Sequence, residues 1–294
     1  MNTTGVGAGR FAPSPSADLH IGNLRTAVLA WLFARSTGRR FTIRIEDLDD
    51  RTHTAVAERQ LTDLAAIGLD WDDEPQWQSS HPQRYDAVID ALRRRDLVYE
   101  CFCSRKDILN APRAPHAPQG SYPGTCRDLT DSARSQRRGG GKPPALRLRS
   151  AATRFTVNDL QHGSYTGVVD DFVLRRGDGV PAYNLAVVVD DALAGVDQVV
   201  RGDDLLSSSP RQAYLGSLLG YAQPTYAHVP LALNADGKRL AKRDGAVTLA
   251  DLGASRTFAL IAESLERGGA TTPGDLLESF DPARLPRRPW VFRG

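Results

Sequence analysis

The chain has 294 residues, of which 41% are hydrophobic and 24% are charged, and its formal net charge is +2. This composition is typical of a globular protein with about two domains and excludes a polycation. No apolar run approaches the roughly 20 residues that a membrane span needs, and residues 1–9 lack the features of a signal peptide. We therefore expect a cytoplasmic protein that has no membrane partner. We take it to be a monomer, although the sequence does not give the oligomeric state.

The first part of the chain alternates strands and helices, which predicts a parallel sheet with covering helices. Gly68 is a suitable residue to end the second helix. The predicted elements are a strand leading into a Pro- and Ser-rich loop at 10–15, a helix with an apolar stripe at Leu24, Ala27, Val28, Trp31 and Leu32, a strand at 42–46, and helices at 54–67 and 82–95.

The pattern changes between Cys101 and about Pro144, where Pro, Gly and Ser become frequent and periodicity fades. We interpret this segment as an insertion with too few apolar residues to build much core. The elements predicted beyond it are short strands at 145–148, 155–160 and 168–174, a buried strand at 185–189, a strand end at 199–201, a helix at 209–220, and a C-terminal helical piece with Phe258, Leu260, Ile261 and Leu265 on its apolar face.

Two motifs indicate phosphate chemistry. His20 and Gly22 precede the first helix, whose N-terminus has free backbone N–H groups that bind anions. His20 can donate a hydrogen bond to a phosphate, and Gly22 lets a nucleotide approach the backbone. Downstream, residues 236–245 place several cations in a glycine-flanked loop that can close over a polyphosphate. Taken singly, an exposed turn and a solvated basic loop are the simpler explanations.

Together the two motifs resemble the HIGH and KMSKS sequences of class I aminoacyl-tRNA synthetases. The chain departs from them at Asn23, which replaces a His, at Ala241, which replaces the Ser, and at Arg239, which replaces the first Lys. Further motifs, in the same order, resemble the glutamyl-tRNA synthetase family, and the resemblance runs from about Gly9 to Leu252. These motifs are Gly9–Pro15, Arg44–Asp49, Tyr183–Ala186 and Val200–Leu205.

This resemblance implies an α/β fold, with a Rossmann-like parallel sheet split by a zinc-bearing insertion and followed by a small C-terminal helical extension. The site is expected at the carboxyl ends of the strands. The implied parts are the first half of the catalytic domain (1–98), the insertion (99–182), the second half of the catalytic domain (183–235), and the KMSKS-like loop with a short helical extension and no anticodon-binding domain (236–294).

The implied reaction is activation of L-glutamate by ATP, with Mg²⁺, to glutamyl-adenylate, followed by transfer of glutamate to an RNA hydroxyl. The attacking carboxylate is already an anion, so catalysis depends on positioning and electrostatic stabilisation. On this basis His20 and Lys242 are the catalytic residues. The implied ATP-binding residues are His20, Gly22, Asn23, Arg239 and Lys242.

Glutamate offers two carboxylates and an ammonium group. Arg10 and Arg201 suit the carboxylates, because a guanidinium can hold a carboxylate through two hydrogen bonds, and the resemblance assigns Glu46 to the ammonium group. The alternatives are that both arginines are surface ion-pair partners and that Tyr183 is a core residue. The implied glutamate site is Arg10, Phe11, Ala12, Pro13, Ser14, Glu46, Tyr183 and Arg201.

The three cysteines, Cys101, Cys103 and Cys126, indicate reduced thiols or metal ligands rather than disulfides. A structural zinc ion usually has four ligands. General chemistry favours His116 as the fourth, whereas the family pattern Cys-x-Cys…Tyr-x-x-x-Cys points to Tyr122. We follow the family pattern and predict one structural zinc ion on these three cysteines and Tyr122. His116 stays an alternative ligand, and inert thiols are the alternative to a metal site.

Only a short segment follows Lys242, and full-length members of the family continue with a helical domain that reads the anticodon. The chain is similar in this respect to truncated paralogues that attach glutamate to queuosine in the anticodon loop of tRNA(Asp), the acceptor that we expect. The alternatives are a minimal ligase for tRNA(Glu) and a catalytically idle RNA-binding paralogue. A dinucleotide-dependent oxidoreductase is disfavoured, because no GxGxxG follows the first strand.

Overall fold

The computed structural model of the chain describes residues 6–111, 121–141, 143–240 and 247–293. The predictions for Lys242, Ala241 and His116 lie outside these ranges. The strands are β1 (Ala8–Phe11), β2 (Arg40–Ile45), β3 (Gln76–Trp77), β4 (Val98–Cys101), β5 (Ala145–Leu148), β6 (Arg154–Asp159), β7 (Gly163–Val168), β8 (Val173–Arg175), β9 (Val196–Gly202), β10 (Thr225–Val229), β11 (Ala232–Leu233) and β12 (Trp290–Val291). The helices are α1 (Ile21–Arg35), α2 (Thr54–Ala66), α3 (Gln83–Arg94), α4 (Arg105–Asn110), α5 (Asp131–Gly139), α6 (Tyr183–Leu193), α7 (Ser209–Leu219), α8 (Leu249–Leu252), α9 (Ala254–Ser264) and α10 (Pro273–Glu278).

Seven of the described strands form the central sheet, in the order β3-β2-β1-β9-β10-β6-β7. Neighbouring strands are parallel, except for the β6–β7 hairpin at one edge. The chain first builds outward from β1 to β2 and β3, and later returns to place β9 on the other side of β1. Such a reversal leaves a crevice at the carboxyl ends of the two central strands. The predicted α/β fold with a parallel sheet is confirmed.

Helix α1 lies at the centre of the main core, between the sheet and the C-terminal helices α9 and α10. The predicted apolar stripe is buried, and so are most residues on its other faces. A helix that is apolar all round belongs in such an interior position. Gly9 of β1 permits the close approach of this helix, because a Cβ at position 9 would lie 2.9 Å from the Cβ of Ala34.

Strands β4, β5 and β8 form a separate, three-stranded antiparallel sheet. The other two strands between residues 99 and 182, β6 and β7, extend the central sheet through the contact of β6 with β10. The predicted strand at 168–174 is wrong as a single element. It covers the end of β7 and most of β8, and the pairing partner changes between them. The division into domains stays a prediction.

The predicted buried strand at 185–189 is wrong, because these residues lie within helix α6. A short apolar run does not by itself distinguish a buried strand from a buried helix. Leu185, Ala186 and Val189 are buried in the core that α6 shares with α3 and α7. Asp190 and Asp191 continue the same helix inside the protein.

The C-terminal segment is helical, as predicted. Phe258 and Ile261 of α9, and Leu265 after it, are buried in the main core, and Leu260 is partly buried. Strand β12 pairs with β11, so the end of the described chain is held by backbone hydrogen bonds to an earlier part of the protein. No helix in the described ranges is long and apolar enough to cross a membrane.

Candidate active site

A cleft of about 660 Å³ opens at the carboxyl ends of β1 and β9. Arg10 lies on β1 and Arg201 on β9, and Glu46 is the first residue after β2. All three side chains line the cleft. Gly22 lines an adjoining cavity of about 130 Å³. The predicted site residues that line the main cleft are Arg10, Phe11, Ala12, Pro13, Ser14, His20, Asn23, Glu46, Tyr183, Arg201 and Arg239.

The loop between β1 and α1 is held by hydrogen bonds from other elements. The carbonyl of Pro13 accepts the backbone N–H of Glu46 at 2.9 Å. The side-chain amide of Gln60, on α2, donates to the carbonyls of Ser14 at 3.2 Å and Ala17 at 2.7 Å. Gln60 is buried, so these two hydrogen bonds hold the loop against the interior of the protein. Its side chain is a part of the site that the sequence analysis missed.

His20 caps the N-terminus of α1 with its imidazole ring. Nδ1 accepts the backbone N–H groups of Gly22 at 3.1 Å and Asn23 at 3.2 Å, and the side chain of Asn23 accepts the N–H of His20 at 3.2 Å. This is a reciprocal capping box. Burial, together with the charge of Arg239, lowers the pKa of His20 to about 4. The ring is therefore neutral at pH 7, with its proton on Nε2.

Gly22 is buried at a position where a side chain would be crowded. A Cβ at position 22 would lie 3.0 Å from the Cβ of Ala232 and 3.1 Å from Nδ1 of His20. Glycine therefore keeps the capping ring in place. This role comes in addition to the close approach of a nucleotide that the sequence analysis expected.

The described residues on either side of 241–246, in and after the segment that resembles KMSKS, lie near His20. Arg239, at its start, lines the same cleft as His20. Beyond residues 241–246, which lie outside the description, the carbonyl of Val247 accepts the N–H of Ile21 at 3.0 Å. Both flanks of the segment are thus next to the N-terminus of α1.

Two arginines, Arg10 of the cleft and Arg44, share the buried carboxylate of Asp191. Nε of Arg10 donates to Asp191 at 3.1 Å, and Nη1 of Arg44 donates to the same oxygen. Nη2 of Arg44 also donates to Glu46 at 3.2 Å. Burial alone would raise the pKa of Asp191, but the charges of Arg10 and Arg44 outweigh burial and lower it. Both N–H groups of Arg10 Nη2 are without a partner in the described ranges and are available to a ligand.

Arg201 is held from behind by polar groups. Its Nε donates to Nε2 of His228 at 3.0 Å, and its Nη2 donates to Oγ of Ser209 at 2.8 Å. Its Nη1 donates to the hydroxyl of Tyr183 at 3.2 Å, on the cleft side. Arg10 and Arg201 are 4% and 6% exposed, so neither is a surface ion-pair partner. Tyr183 is 39% exposed, so it is not a core residue.

The three cysteines come together in the insertion, and their sulfur atoms lie within 4.8 Å of one another, so they could hold a metal ion. The hydroxyl of Tyr122 is 3.4 Å from the sulfur of Cys101 and 3.7 Å from that of Cys103, and it accepts the N–H of Cys126. The guanidinium of Arg147 stacks on the ring of Tyr122, 3.7 Å from its centroid. Three sulfurs and one oxygen thus meet at one point, which fits a tetrahedral zinc site.

A second cleft, of about 1030 Å³, continues from the first toward the small sheet. Ser14, Glu46 and Tyr183 line both clefts. Four arginines line the second cleft, and two of them form ion pairs with carboxylates there, Arg51 with Asp49 and Arg176 with Asp178. These arginines are Arg51, Arg105, Arg147 and Arg176.

Residues 8–274 match the family described as tRNA synthetases class I (E and Q), catalytic domain. The chain belongs to this family. Membership makes it a ligase with an ATP-using class I catalytic domain. The motifs that pointed to the family from the sequence are those that meet at the cleft.

Two relatives within the family differ in the share of their length that the chain spans. The chain is 62% identical over 291 residues to the glutamyl-Q tRNA(Asp) synthetase of Nocardia farcinica, covering 97% of this chain and 93% of that protein. It is 42% identical over 250 residues to the glutamate–tRNA ligase of a Synechococcus species, covering 82% of this chain and 52% of the ligase. The crystal structure of a glutamate tRNA ligase from Elizabethkingia meningosepticum shares the fold, with a TM-score of 0.81 at 24% identity over 98% of this chain and 67% of that one.

Proposed function

We propose that the chain activates L-glutamate with ATP and transfers it to queuosine in the anticodon loop of tRNA(Asp). The observation that carries the activation step is the meeting of Arg10, Arg201 and Glu46 in one cleft beside the His20-capped end of α1. Two guanidinium groups and one carboxylate complement the two carboxylates and the ammonium group of glutamate.

Within this cleft, Arg10 and Arg201 take the carboxylates and Glu46 faces the ammonium group. The free Nη2 of Arg10 supports this role, as does the position of Arg201 behind the hydroxyl of Tyr183. Burial raises the pKa of Glu46, although Arg44 and Arg10 partly oppose the rise. A bound ammonium group adds a positive charge beside Glu46 and favours its ionised form. Ser14 and the backbone of residues 11–13 complete the pocket.

ATP binds at the N-terminus of α1, with its phosphates against His20, Gly22 and Asn23. The neutral ring of His20 offers its Nε2–H to a phosphate oxygen, and the helix end adds backbone N–H groups and a positive dipole. Arg239 is paired with Asp204 and exchanges this partner for a phosphate when ATP binds. Lys242 is assigned to the charge of the pyrophosphate, and Mg²⁺ accompanies ATP.

The reaction then follows from these positions. An oxygen of the glutamate α-carboxylate attacks the α-phosphorus of ATP, and the bond to the bridging oxygen breaks so that pyrophosphate leaves. No proton moves in this step, and the protein contributes alignment and charge stabilisation. In the second step a hydroxyl of queuosine attacks the carbonyl carbon of glutamyl-adenylate. AMP leaves, and the hydroxyl proton passes to the phosphate of AMP or to water.

A single structural zinc ion is proposed for the insertion, with Cys101, Cys103, Tyr122 and Cys126 as its ligands. When bound, zinc would cross-link two segments, 101–103 and 122–126, of a region that has little apolar core of its own. Nothing in the reaction passes through it. The side chains hold their positions around a common point, which supports this assignment.

The choice of acceptor depends on the relatives and on the second cleft. The high identity to a glutamyl-Q tRNA(Asp) synthetase over nearly the whole chain supports tRNA(Asp). The arginine-lined cleft continuous with the glutamate pocket suits an RNA loop whose phosphates need cations. The 42% identity to a glutamate–tRNA ligase favours tRNA(Glu) as the second candidate acceptor.

Two assays test the proposal in sequence. Glutamate-dependent ATP–pyrophosphate exchange is measured without tRNA, with aspartate and glutamine as controls. Transfer of radiolabelled glutamate is then measured with tRNA(Asp) that contains or lacks queuosine, and with tRNA(Glu). We expect tRNA-free exchange with glutamate and transfer to queuosine-containing tRNA(Asp) alone. Charging of tRNA(Glu) would establish the second candidate, and absence of exchange in both the presence and absence of tRNA would make the chain an idle paralogue.

A further inference from the structure

Behind the glutamate pocket lies a chain of buried polar groups to which no role has been assigned. The register of the sheet places His228 of β10 directly beside Arg201 of β9. His228 is fully buried, and Asp159, at the end of β6, is 4% exposed. Nδ1 of His228 is 2.5 Å from Oδ2 of Asp159, and Nε2 of His228 is 3.0 Å from Nε of Arg201. The order of contacts is therefore Asp159, His228, Arg201 and the cleft.

The hydrogen-bond partners of Asp159 determine whether its carboxyl group is ionised. Its Oδ1 accepts the backbone N–H groups of Gln161 at 2.8 Å and His162 at 3.0 Å, and its Oδ2 accepts the backbone N–H of His228 at 3.1 Å. Burial would raise the pKa of Asp159, but the hydrogen bonds from His228 and from these backbone groups outweigh burial and lower it. Asp159 is therefore a carboxylate that only accepts hydrogen bonds.

An acceptor at Nδ1 fixes the tautomer of His228. The proton must lie on Nδ1, so Nε2 carries a lone pair. That lone pair receives the Nε–H of Arg201 and faces the hydroxyl of Ser209 at 3.1 Å. Ser209 in turn accepts from Nη2 of Arg201. The Nε and Nη2 groups of Arg201 are thus held by His228 and Ser209. Its Nη1 group faces Tyr183 and the cleft.

We infer that Asp159 and His228 are positioning residues for glutamate recognition, because together they present an acceptor that orients Arg201 toward the substrate. The inference rests on the proposed function for the identity of the substrate. The arrangement of protons itself depends only on the contacts of these buried groups. Neither residue touches the cleft, so both act through Arg201.

Asp159→Asn is the sharpest single change. The side-chain oxygen stays with the backbone N–H groups of Gln161 and His162, so the new amide group faces Nδ1 of His228. His228 must then accept a hydrogen bond at Nδ1 and carry its proton on Nε2. The Nε2–H of His228 and the Nε–H of Arg201 would then be two donors that face each other without an acceptor. The amide nitrogen also replaces the Oδ2 that accepts the backbone N–H of His228, so this variant is expected to have a lower melting temperature as well. We expect the KM for glutamate in pyrophosphate exchange to rise at least about tenfold, a typical effect of a lost hydrogen bond to a charged group. The KM for ATP should change less than about threefold.

Two substitutions of His228 separate positioning from folding. The side chain of Gln reaches the position of Nε2 and can accept from Arg201, whereas the side chain of Asn reaches only Nδ1 and its contact with Asp159. We expect His228→Gln to keep the KM for glutamate within about threefold of the unmodified protein and His228→Asn to raise it at least about tenfold. Asp90→Asn, at an exposed position on α3, is the matched control. Equal KM values for the Gln and Asn variants would refute the inference.

A measurement that does not depend on activity completes the test. The ¹⁵N chemical shifts of His228 should show the Nδ1–H tautomer in the unmodified protein and the Nε2–H tautomer in Asp159→Asn. A proton on Nε2 in the unmodified protein would overturn the inference, whatever the kinetics. If the unmodified protein shows no exchange with glutamate, the proposed function fails, and the NMR result still decides the hydrogen-bond order.

Discussion

His20 combines two tasks that a substitution can separate. Its Nδ1 caps α1 by accepting the N–H groups of Gly22 and Asn23. Its Nε2 has no protein partner in the described ranges and is the donor that we assign to a phosphate of ATP. Asparagine is among the best N-cap residues, but it has no N–H at the position of Nε2. His20→Asn should therefore keep the cap and lose the phosphate donor, whereas His20→Ala should lose both.

The two losses differ in size and in the property that they change. Replacing an N-cap by alanine costs about 1 kcal/mol of stability, which lowers the melting temperature of a protein of this size by about 2–4 °C. Removing one donor to charge that develops in a transition state costs about 3 kcal/mol, or about 100-fold in kcat. We expect His20→Asn to show the 100-fold loss with a melting temperature within about 1 °C of the unmodified protein.

Glutamate-dependent ATP–pyrophosphate exchange and differential scanning calorimetry measure these effects on the same samples. His81→Asn is the control, because His81 is exposed and distant in sequence from the cleft motifs. Exchange by His20→Asn at more than about a tenth of the normal rate would refute the role of Nε2 as a phosphate donor. A melting temperature as low as that of His20→Ala would refute the assignment of the cap.

Three further predictions concern pH, backbone space and the metal site. Because the pKa of His20 is lowered to about 4 by burial and by the charge of Arg239, the unfolded chain binds more protons than the folded protein between about pH 6.5 and pH 4. The contribution of this histidine to stability is complete above pH 6.5, and the melting temperature relative to His20→Asn should fall as the pH decreases through this window. Gly22→Ala places a methyl group 3.1 Å from the capping ring and should lower pyrophosphate exchange at least about tenfold, whereas Gly139→Ala, with open space around it, should not. Tyr122→Phe should release bound zinc to a chelator at least about tenfold faster than the unmodified protein, as measured with a colorimetric zinc indicator.

Each of these expectations has a contrary result. A constant difference in melting temperature between pH 4 and pH 7 would mean that His20 is not held neutral by the fold. Normal exchange by Gly22→Ala would mean that the ring tolerates displacement. Equal rates of zinc release would remove Tyr122 from the ligand set and leave the fourth position to another group.

The sequence motifs meet in space, whereas some of the secondary structure between them differs from the prediction. Short motifs can be recognised from the sequence because their residue types indicate a chemical role. The motifs that contain Arg10, His20, Glu46 and Arg201 meet in one cleft. The segment at 185–189 was misassigned, because burial removes the periodic pattern that separates helices from strands. Strand β7 was missed, because Gly163–Val168 contains two glycines and few apolar residues.

The supporting residues were not predictable as a group, because their roles arise from contacts between distant segments. Asp190 and Asp191 follow a run of valines, and His228 lies within a largely apolar strand. An ionisable residue in an apolar run was the available signal, since such groups are seldom buried without a partner. The identity of each partner is a property of the fold. Nothing in the sequence alone connects Asp159 to a residue 69 positions away.

The shared carboxylate of Asp191 also constrains how the protein can change over evolutionary time. Arg10 and Arg44 both depend on this one group, and Arg44 also holds Glu46. Loss of one member leaves a buried charge without its counter-ion, which typically costs 3–5 kcal/mol, a large part of the stability of a domain. Changes at these positions are therefore strongly epistatic, and a switch to another amino acid substrate would require coordinated replacements within this network.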